Sequence, residues 1–278
     1  MGIISLPAVF TVRFPSRTNQ HKAKNMSASL LPEPPGTAAD PLPLLNPYPN
    51  VSVVPIFDGH QCVVVDDFML EPEALVDFAV RNHAFFVKAP GNYYPGPEFP
   101  LGGAMAARIH DSFLLHARAP LKVRRVVSML SRLSLVTHRP EQVLPGQRLP
   151  HRDTAGLPAG QEMAAMVLYL FKDERHGGTS FFKPKVPLPE ITALLHELRR
   201  QERAGEAATA DVPSTFAIGS TRHFEKVLTI PPRYNRAIFY NGELFHSGDL
   251  HSPELMTNDP RTGRLTANAF FHVRMATG

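Results

Sequence analysis

The sequence predicts a mainly β protein with flanking helices, closed by two sheets as a sandwich or jelly roll. Three observations predict it. The second half carries short strand-like runs split by turns rather than by helices. The chain holds 28 prolines and 18 glycines in 278 residues, a composition that favours turns over long helices. Helical periodicity is confined to two segments of the first half and one insertion in the second, which argues against a parallel α/β sheet.

Taken in order, residues 1–47 end in a proline-rich stretch over 32–47 and read as a flexible arm. Its apolar stretch, 3–12, has no basic residue before it and is not read as a secretory signal. The first acidic residue is Glu33, which fits an organelle transit peptide no better than it fits a start at Met26. Runs 51–57 and 61–68 are β-branched and apolar around Asp58-Gly59, a strong hairpin signal. Pro72 opens a short helix with Leu75, Phe78 and Ala79 on one face. A loop rich in Pro, Gly and Tyr covers 90–102. A second helix follows over about 103–117 with Met105, Ile109, Phe113 and Leu114 at helical spacing. Residues 123–137 read as a strand.

Beyond it, strands are expected over 147–154, 163–171, 179–182, 226–230, 236–240 and 264–273. An insertion at about 183–225 starts a helix at Pro189, with Ile191, Leu194, Leu195 and Leu198 as its apolar stripe. These elements divide into the arm, an α/β support over 48–146, and a β core over 147–278.

Composition narrows the functional classes. The net charge of +4 comes from 29 basic and 25 acidic residues, scattered without the basic-aromatic stripe of a nucleic-acid binder. No run approaches a membrane span. A single cysteine, Cys62, excludes an intrachain disulfide and a cysteine-based zinc site, and points to a reducing, cytoplasmic setting. Phosphate-binding loops, dinucleotide fingerprints and nucleophile elbows are missing. Thirteen histidines turn attention to metal ligands.

His151-Arg152-Asp153 lies in an extended run, where residues two apart share a face. His151 and Asp153 can therefore aim one imidazole nitrogen and one carboxylate oxygen at a common point. Alone, the pair also reads as a surface ion pair. His246, 93 residues after Asp153, would complete two histidines and a carboxylate on one side of a metal. Such a facial set leaves open positions and suits non-haem Fe(II); alone, His246 also reads as a core histidine. In 264–273, Leu265, Ala267, Ala269, Phe271 and Val273 form an apolar face. Arg264, Thr266, Asn268, Phe270 and His272 form the opposite one, either a solvated face or a site wall. An arginine with a hydroxyl two residues on can clamp a carboxylate.

In order, His151-x-Asp153, Met166-Val167-Leu168-Tyr169-Leu170, Gly177-Gly178-Thr179-Ser180-Phe181, Arg236-Ala237-Ile238-Phe239, Phe245-His246-Ser247-Gly248 and Arg264-x-Thr266 resemble the Fe(II)- and 2-oxoglutarate-dependent dioxygenases. The likeness is to the prolyl-4-hydroxylase-like branch and covers about 147–274. It implies a double-stranded β-helix (jelly roll) core, with His151, Asp153 and His246 holding Fe(II). Arg264 and Thr266 would bind the distal carboxylate of 2-oxoglutarate, and Tyr169 would hydrogen-bond the same co-substrate. With O2, the implied reaction hydroxylates an amino-acid, peptide or small-metabolite substrate and releases succinate and CO2. The carboxylate of Asp153 implies oxidation rather than halogenation.

Two features depart from the pattern. The interval from His246 to Arg264 is 18 residues, longer than usual, which leaves Arg261 and Arg274 as alternative anchors. Strict prolyl 4-hydroxylases carry lysine at the anchor. The insertion and the loop with Tyr93 and Tyr94 are the expected substrate side. The rival readings are a non-enzymatic cupin-like binding module and an iron enzyme independent of 2-oxoglutarate.

Overall fold

The computed structural model describes residues 43–88, 93–153, 157–158, 160–208 and 212–276, together with the backbone of Val12–Arg13. Of the arm expected over 1–47, the rest up to residue 42 lies outside the described residues, as do the first residues of the 90–102 loop. Its last residues, expected to be flexible, are docked, with Leu45 bridging Met69 and Asn46 N donating to Phe68 O.

The strands are β1 (Val12–Arg13), β2 (Asn50–Pro55), β3 (Gln61–Asp66), β4 (Glu98–Leu101), β5 (Val123–Val136), β6 (Glu162–Tyr169), β7 (Thr179–Pro184), β8 (Phe224–Ile230), β9 (Ala237–Asn241), β10 (Phe245–Gly248) and β11 (Arg264–Met275). The helices are α1 (Pro72–Arg81), α2 (Gly103–Ser112) and α3 (Leu188–Ala204). The larger sheet runs β1-β5-β11-β6-β9-β3-β2, with β4 also on β5, and the smaller runs β10-β7-β8. Every pairing is antiparallel. This is the mainly β, two-sheet jelly-roll architecture that the sequence predicts. The larger sheet interleaves strands from 48–146 with strands from 147–278.

Period-two patterning assigns each face of that sheet. Val63, Val65, Leu168, Phe239, Leu265, Ala267, Ala269 and Phe271 are buried against Leu75, Phe78 and Ala79 of α1 and Met105 and Ile109 of α2. The opposite face, with Val64, Ala165, Ile238 and Tyr240, packs on Phe181 and Ile230 of the smaller sheet. A sheet covered on both faces reads as near-continuous apolar strands, which β3, β6 and β9 are. Beyond that packed zone the sheets separate, and the polar face of β11 is turned into the gap.

Local chemistry explains most boundaries. Asp58 and Gly59 take positive φ, 49° and 78°, as the two-residue turn between β2 and β3 requires. Pro72 sits in the first turn of α1, where a missing N–H costs nothing. Past Ser112 the second helix widens into a π turn over Phe113–Ala117, so the expected helical stretch to 117 holds with a looser end. In α3 the stripe buries Ile191 and Leu198, and the helix stops at Gly205 in the left-handed region.

Two expectations need correction. The strand expected over 147–154 is a 3-10 turn, Pro145–Arg148, followed by one antiparallel bridge at His151. Pro145 and Pro150 have no N–H to give a ladder, so pairing starts only after them; Thr154 lies outside the described residues. The loop expected over 90–102 contains β4, whose Phe99 and Leu101 are buried on β5.

An ion pair ties β3 to the start of β9. Arg236 Nε and Nη2 donate to Asp66 Oδ1 and Oδ2 at 2.7 and 3.0 Å, and both side chains are largely buried. The hydrogen bonds from Arg236 hold the Asp66 carboxyl below the usual carboxylate range, outweighing burial, with the Arg236 and Arg233 charges adding to them. A folded-state value below the unfolded one stabilises the fold above the unfolded pKa of about 3.9, and the effect is lost as pH falls through the folded value. Asp66→Asn should therefore destabilise the protein by about 2 kcal/mol at neutral pH. The gap from wild type in urea unfolding should close below about pH 4; a gap unchanged at pH 3 would contradict this.

Candidate metal centre and the cavity around it

His151 and His246 face each other across the open edge of β10. His151 N donates to His246 O, and His246 N to His151 O, both at 2.9 Å. Two residues on, Asp153 N donates to Gly242 O at 2.8 Å. Gly242 eases this approach, because a Cβ there would stand 3.0 Å from Asp153 Cβ, tighter than an ordinary contact. Backbone pairing thus places all three side chains on one side of the smaller sheet, and one ligand atom from each lies within 4.8 Å of the other two.

The donors converge without satisfying one another. His151 Nε2 stands 3.8 Å from Asp153 Oδ1, and His246 Nε2 stands 3.4 Å from Oδ2. Asp153 Oδ2 is nonetheless sealed from solvent with no hydrogen-bond partner. His246 Nδ1 lies 2.8 Å from the Leu244 carbonyl, which can only accept, so Nδ1 carries a proton. In neutral His246 the Nε2 lone pair is then aimed at a carboxylate. Two lone pairs facing each other repel unless a cation stands between them, and a Nδ1–H bonded to a carbonyl is the usual way to orient a metal-binding histidine.

Electrostatics agree. Burial pulls both imidazoles toward the neutral form. At His246 burial is the largest single effect, but the Asp153 carboxylate and the Leu244 carbonyl together outweigh it, and the pKa is raised. His151 falls to about 4, through burial and then through the His246 charge. Asp153 is lowered in spite of burial, chiefly by His246. One proton is held between two histidines and a carboxylate where a divalent ion would serve all three. The donor set, with no thiolate, fits Fe(II).

The triad opens on a cavity of about 590 Å³. Arg264, Thr266, Asn268 and Phe270 line it from β11, so the face left open between solvent and site is a cavity wall. Arg264 is 5% exposed. Its Nε donates to His176 O and Gly177 O, and its Nη2 to Gly177 O and Gly178 O, at 3.0 to 3.3 Å. Among the described residues no carboxylate pairs with it. Gly177, at φ 78°, holds this cradle against Asp249, whose carbonyl a Cβ would strike. Thr266 accepts from Asn268 Nδ2 at 3.1 Å and donates weakly to Ser134 O at 3.4 Å.

Arg261 instead pairs with Asp77 at 2.9 Å, and neither Arg261 nor Arg274 lines the cavity. Tyr169 does not line it either. Its buried hydroxyl lies 2.8 Å from Thr179 Oγ1, and Thr179 is on the wall. The tyrosines that do line it are Tyr93, Tyr94 and Tyr240, with Tyr240 edge-on to His246 at 4.8 Å between ring centres. The insertion closes one side through Ile191, Leu195, Leu198, Arg199 and Glu202. Sequence reasoning missed Tyr240, and also Arg132 and Glu98, which line the cavity as an ion pair. The polar alternation of Arg132 and Ser134 between Leu133 and Leu135 was the available signal.

A family model described as a family of unknown function, DUF6445, matches residues 47–271. The chain belongs to DUF6445. No curated protein matches it. Among solved structures this DUF6445 chain is similar to HygX from Streptomyces hygroscopicus with iron bound, at 13% identity and a TM-score of 0.42 over 78% of this chain and 83% of that one. HygX with nickel and 2-oxoglutarate bound gives 14% identity and 0.41 over 78% and 84%. An N-substituted L-amino acid dioxygenase from Burkholderia ambifaria AMMD gives 11% and 0.33 over 78% and 86%. These are likenesses of chain path, and the chemistry of the DUF6445 site is read from its own side chains.

A site built for a cation should tolerate losing its carboxylate better than losing its ion. Asp153→Asn should weaken Ni(II) or Fe(II) binding by about 100-fold or more in calorimetry. The metal-free variant should lose less than about 1 kcal/mol of stability. Unchanged metal affinity would show that the carboxylate is not a ligand.

Proposed function

We propose that the protein is an Fe(II)- and 2-oxoglutarate-dependent oxygenase that uses O2 to hydroxylate an amino-acid, peptide or small-metabolite substrate, in the manner of the prolyl-4-hydroxylase-like branch. The observation that carries this is a pair in one cavity: a His151, Asp153 and His246 donor set whose buried Asp153 Oδ2 has no hydrogen-bond partner, and a buried Arg264 with no carboxylate partner among the described residues. A metal centre alone would need no such arginine, and a lone anion site would need no such triad.

His151, Asp153 and His246 would hold the iron. Iron with 2-oxoglutarate and O2 supplies oxidative decarboxylation to succinate and CO2, coupled to oxygen transfer. The chain's own work is to bind, orient and keep dry. The carbonyls of 176–178 fix Arg264 through Nε and Nη2, leaving Nη1 for the distal carboxylate of 2-oxoglutarate. Thr266 would exchange its long bond to Ser134 for one to the same carboxylate. Tyr169, held by Thr179, positions that wall rather than touching the co-substrate. The support over 48–146 contributes β5, which extends this wall beside β11. The insertion and the Tyr93-Tyr94 loop shape the substrate side.

Anaerobic addition of Fe(II) and 2-oxoglutarate should give wild type a weak visible charge-transfer band that Asp153→Ala lacks. Arg264→Ala should keep metal binding and weaken 2-oxoglutarate binding by about 100-fold, as expected for a desolvated charge-assisted pair. No band in folded, iron-loaded wild type would favour a cupin-like binding module. Turnover surviving in Arg264→Ala would favour an iron enzyme independent of 2-oxoglutarate.

A further inference from the structure

The cavity contains a second guanidinium that the proposed co-substrate cannot use. Arg132 lies on β5 directly across from Asn268 of β11, on the face that also carries Arg264 and Thr266. Four residues separate positions 264 and 268, about 13 Å along a strand, whereas the two carboxyl carbons of a five-carbon diacid are about 5 Å apart. The side chains also diverge. Arg264 is drawn toward the 176–178 carbonyls and over Phe171, 5.5 Å from its ring centre. Arg132 leans the other way, over Phe270 at 4.8 Å.

Arg132 is held but not used up. Its Nε stands 2.6 Å from Glu98 Oε1. Glu98 is steadied by Ser134 Oγ at 3.3 Å, and Ser134 accepts from Asn268 Nδ2 at 2.9 Å. The two Nη groups make no hydrogen bond to any described residue and are not sealed from the cavity that Arg132 lines. Around them the wall is apolar: Leu130 and Phe270 form the next pair along the two strands, and Pro100 stands opposite Arg132 on β4.

We propose that Arg132 receives a carboxylate of the substrate, which is therefore a small acid with an apolar body; in calling this ligand the substrate, the inference rests on the oxygenase reading above. The planar fork of Arg132 suits a carboxylate, and Glu98, on the same cavity wall, holds its Nε end at 2.6 Å.

Straight-chain acids from butanoate to decanoate, each beside its neutral amide, test this by ligand-observed NMR on the Ni(II)- and 2-oxoglutarate-loaded protein and on the protein without additions. At least one acid should bind about 10- to 100-fold more tightly than its amide. The Arg132→Gln/Glu98→Gln double variant, which leaves no unpaired buried charge, should lose that preference while melting near wild type and still binding 2-oxoglutarate. Arg264→Ala should keep the preference and lose 2-oxoglutarate. Acid and amide binding alike, no acid binding, or a preference that survives in the double variant would each overturn the proposal. Failure of wild type to bind 2-oxoglutarate, with an Arg132-dependent acid preference intact, would sink the oxygenase reading alone and leave an anion-binding cavity.

Discussion

The site depends on three backbone hydrogen bonds: the reciprocal pair between His151 and His246, and the bond from Asp153 to Gly242. They join a segment bounded by prolines to a four-residue strand and the turn before it, 89 to 95 positions away, and so decide where three donor atoms stand before any ion arrives. Bringing such distant segments together costs loop-closure entropy, which the apolar packing of the larger sheet against α1 and α2 offsets. The register leaves little choice. A slip of one residue would turn Arg152 inward and both His151 and Asp153 outward.

That geometry concentrates opposite demands in one place. An unpaired carboxylate oxygen, the His246 imidazole and a guanidinium without an acid are each costly to bury. A fold under selection for stability alone would pair them with one another or move them to the surface. Here the groups are close and still unsatisfied, and Gly177 allows a backbone contact beside them that a side chain would block. The cost is tolerable because the rest of the molecule is well packed, with Phe113 stacked on Phe271 at 4.2 Å and the Asp66–Arg236 pair tying β3 to β9.

The sequence revealed those parts of the fold and site that repeat with a period. The alternation over 264–273 told the two faces of β11 apart, Asp58-Gly59 marked its turn, and the Ile191 stripe marked α3. His151 and Asp153 were readable because two polar groups two residues apart in an extended run share a face. Short elements were not readable. β4 hides in a proline-rich stretch, and the strand around 147–154 reduces to a single bridge because two prolines withhold their N–H groups. Nor does sequence say how deep a side chain sits. Tyr169 and Tyr240 occupy neighbouring strands, yet one spends its hydroxyl on Thr179 and the other borders the cavity. Arg132 went unnoticed because a strand that begins with two exposed arginines makes a third look like more surface.

The Arg264 cradle has a further consequence. Its guanidinium is balanced by the carbonyl dipoles of 176–178, and carbonyls do not titrate. An arginine neutralised by a carboxylate would have to shed that partner, or wait for it to protonate, before receiving an anion. This one has nothing to shed. Occupying it calls for no proton uptake or release at the arginine itself, so the calorimetric heat of filling it would be the same in buffers of different ionisation enthalpy.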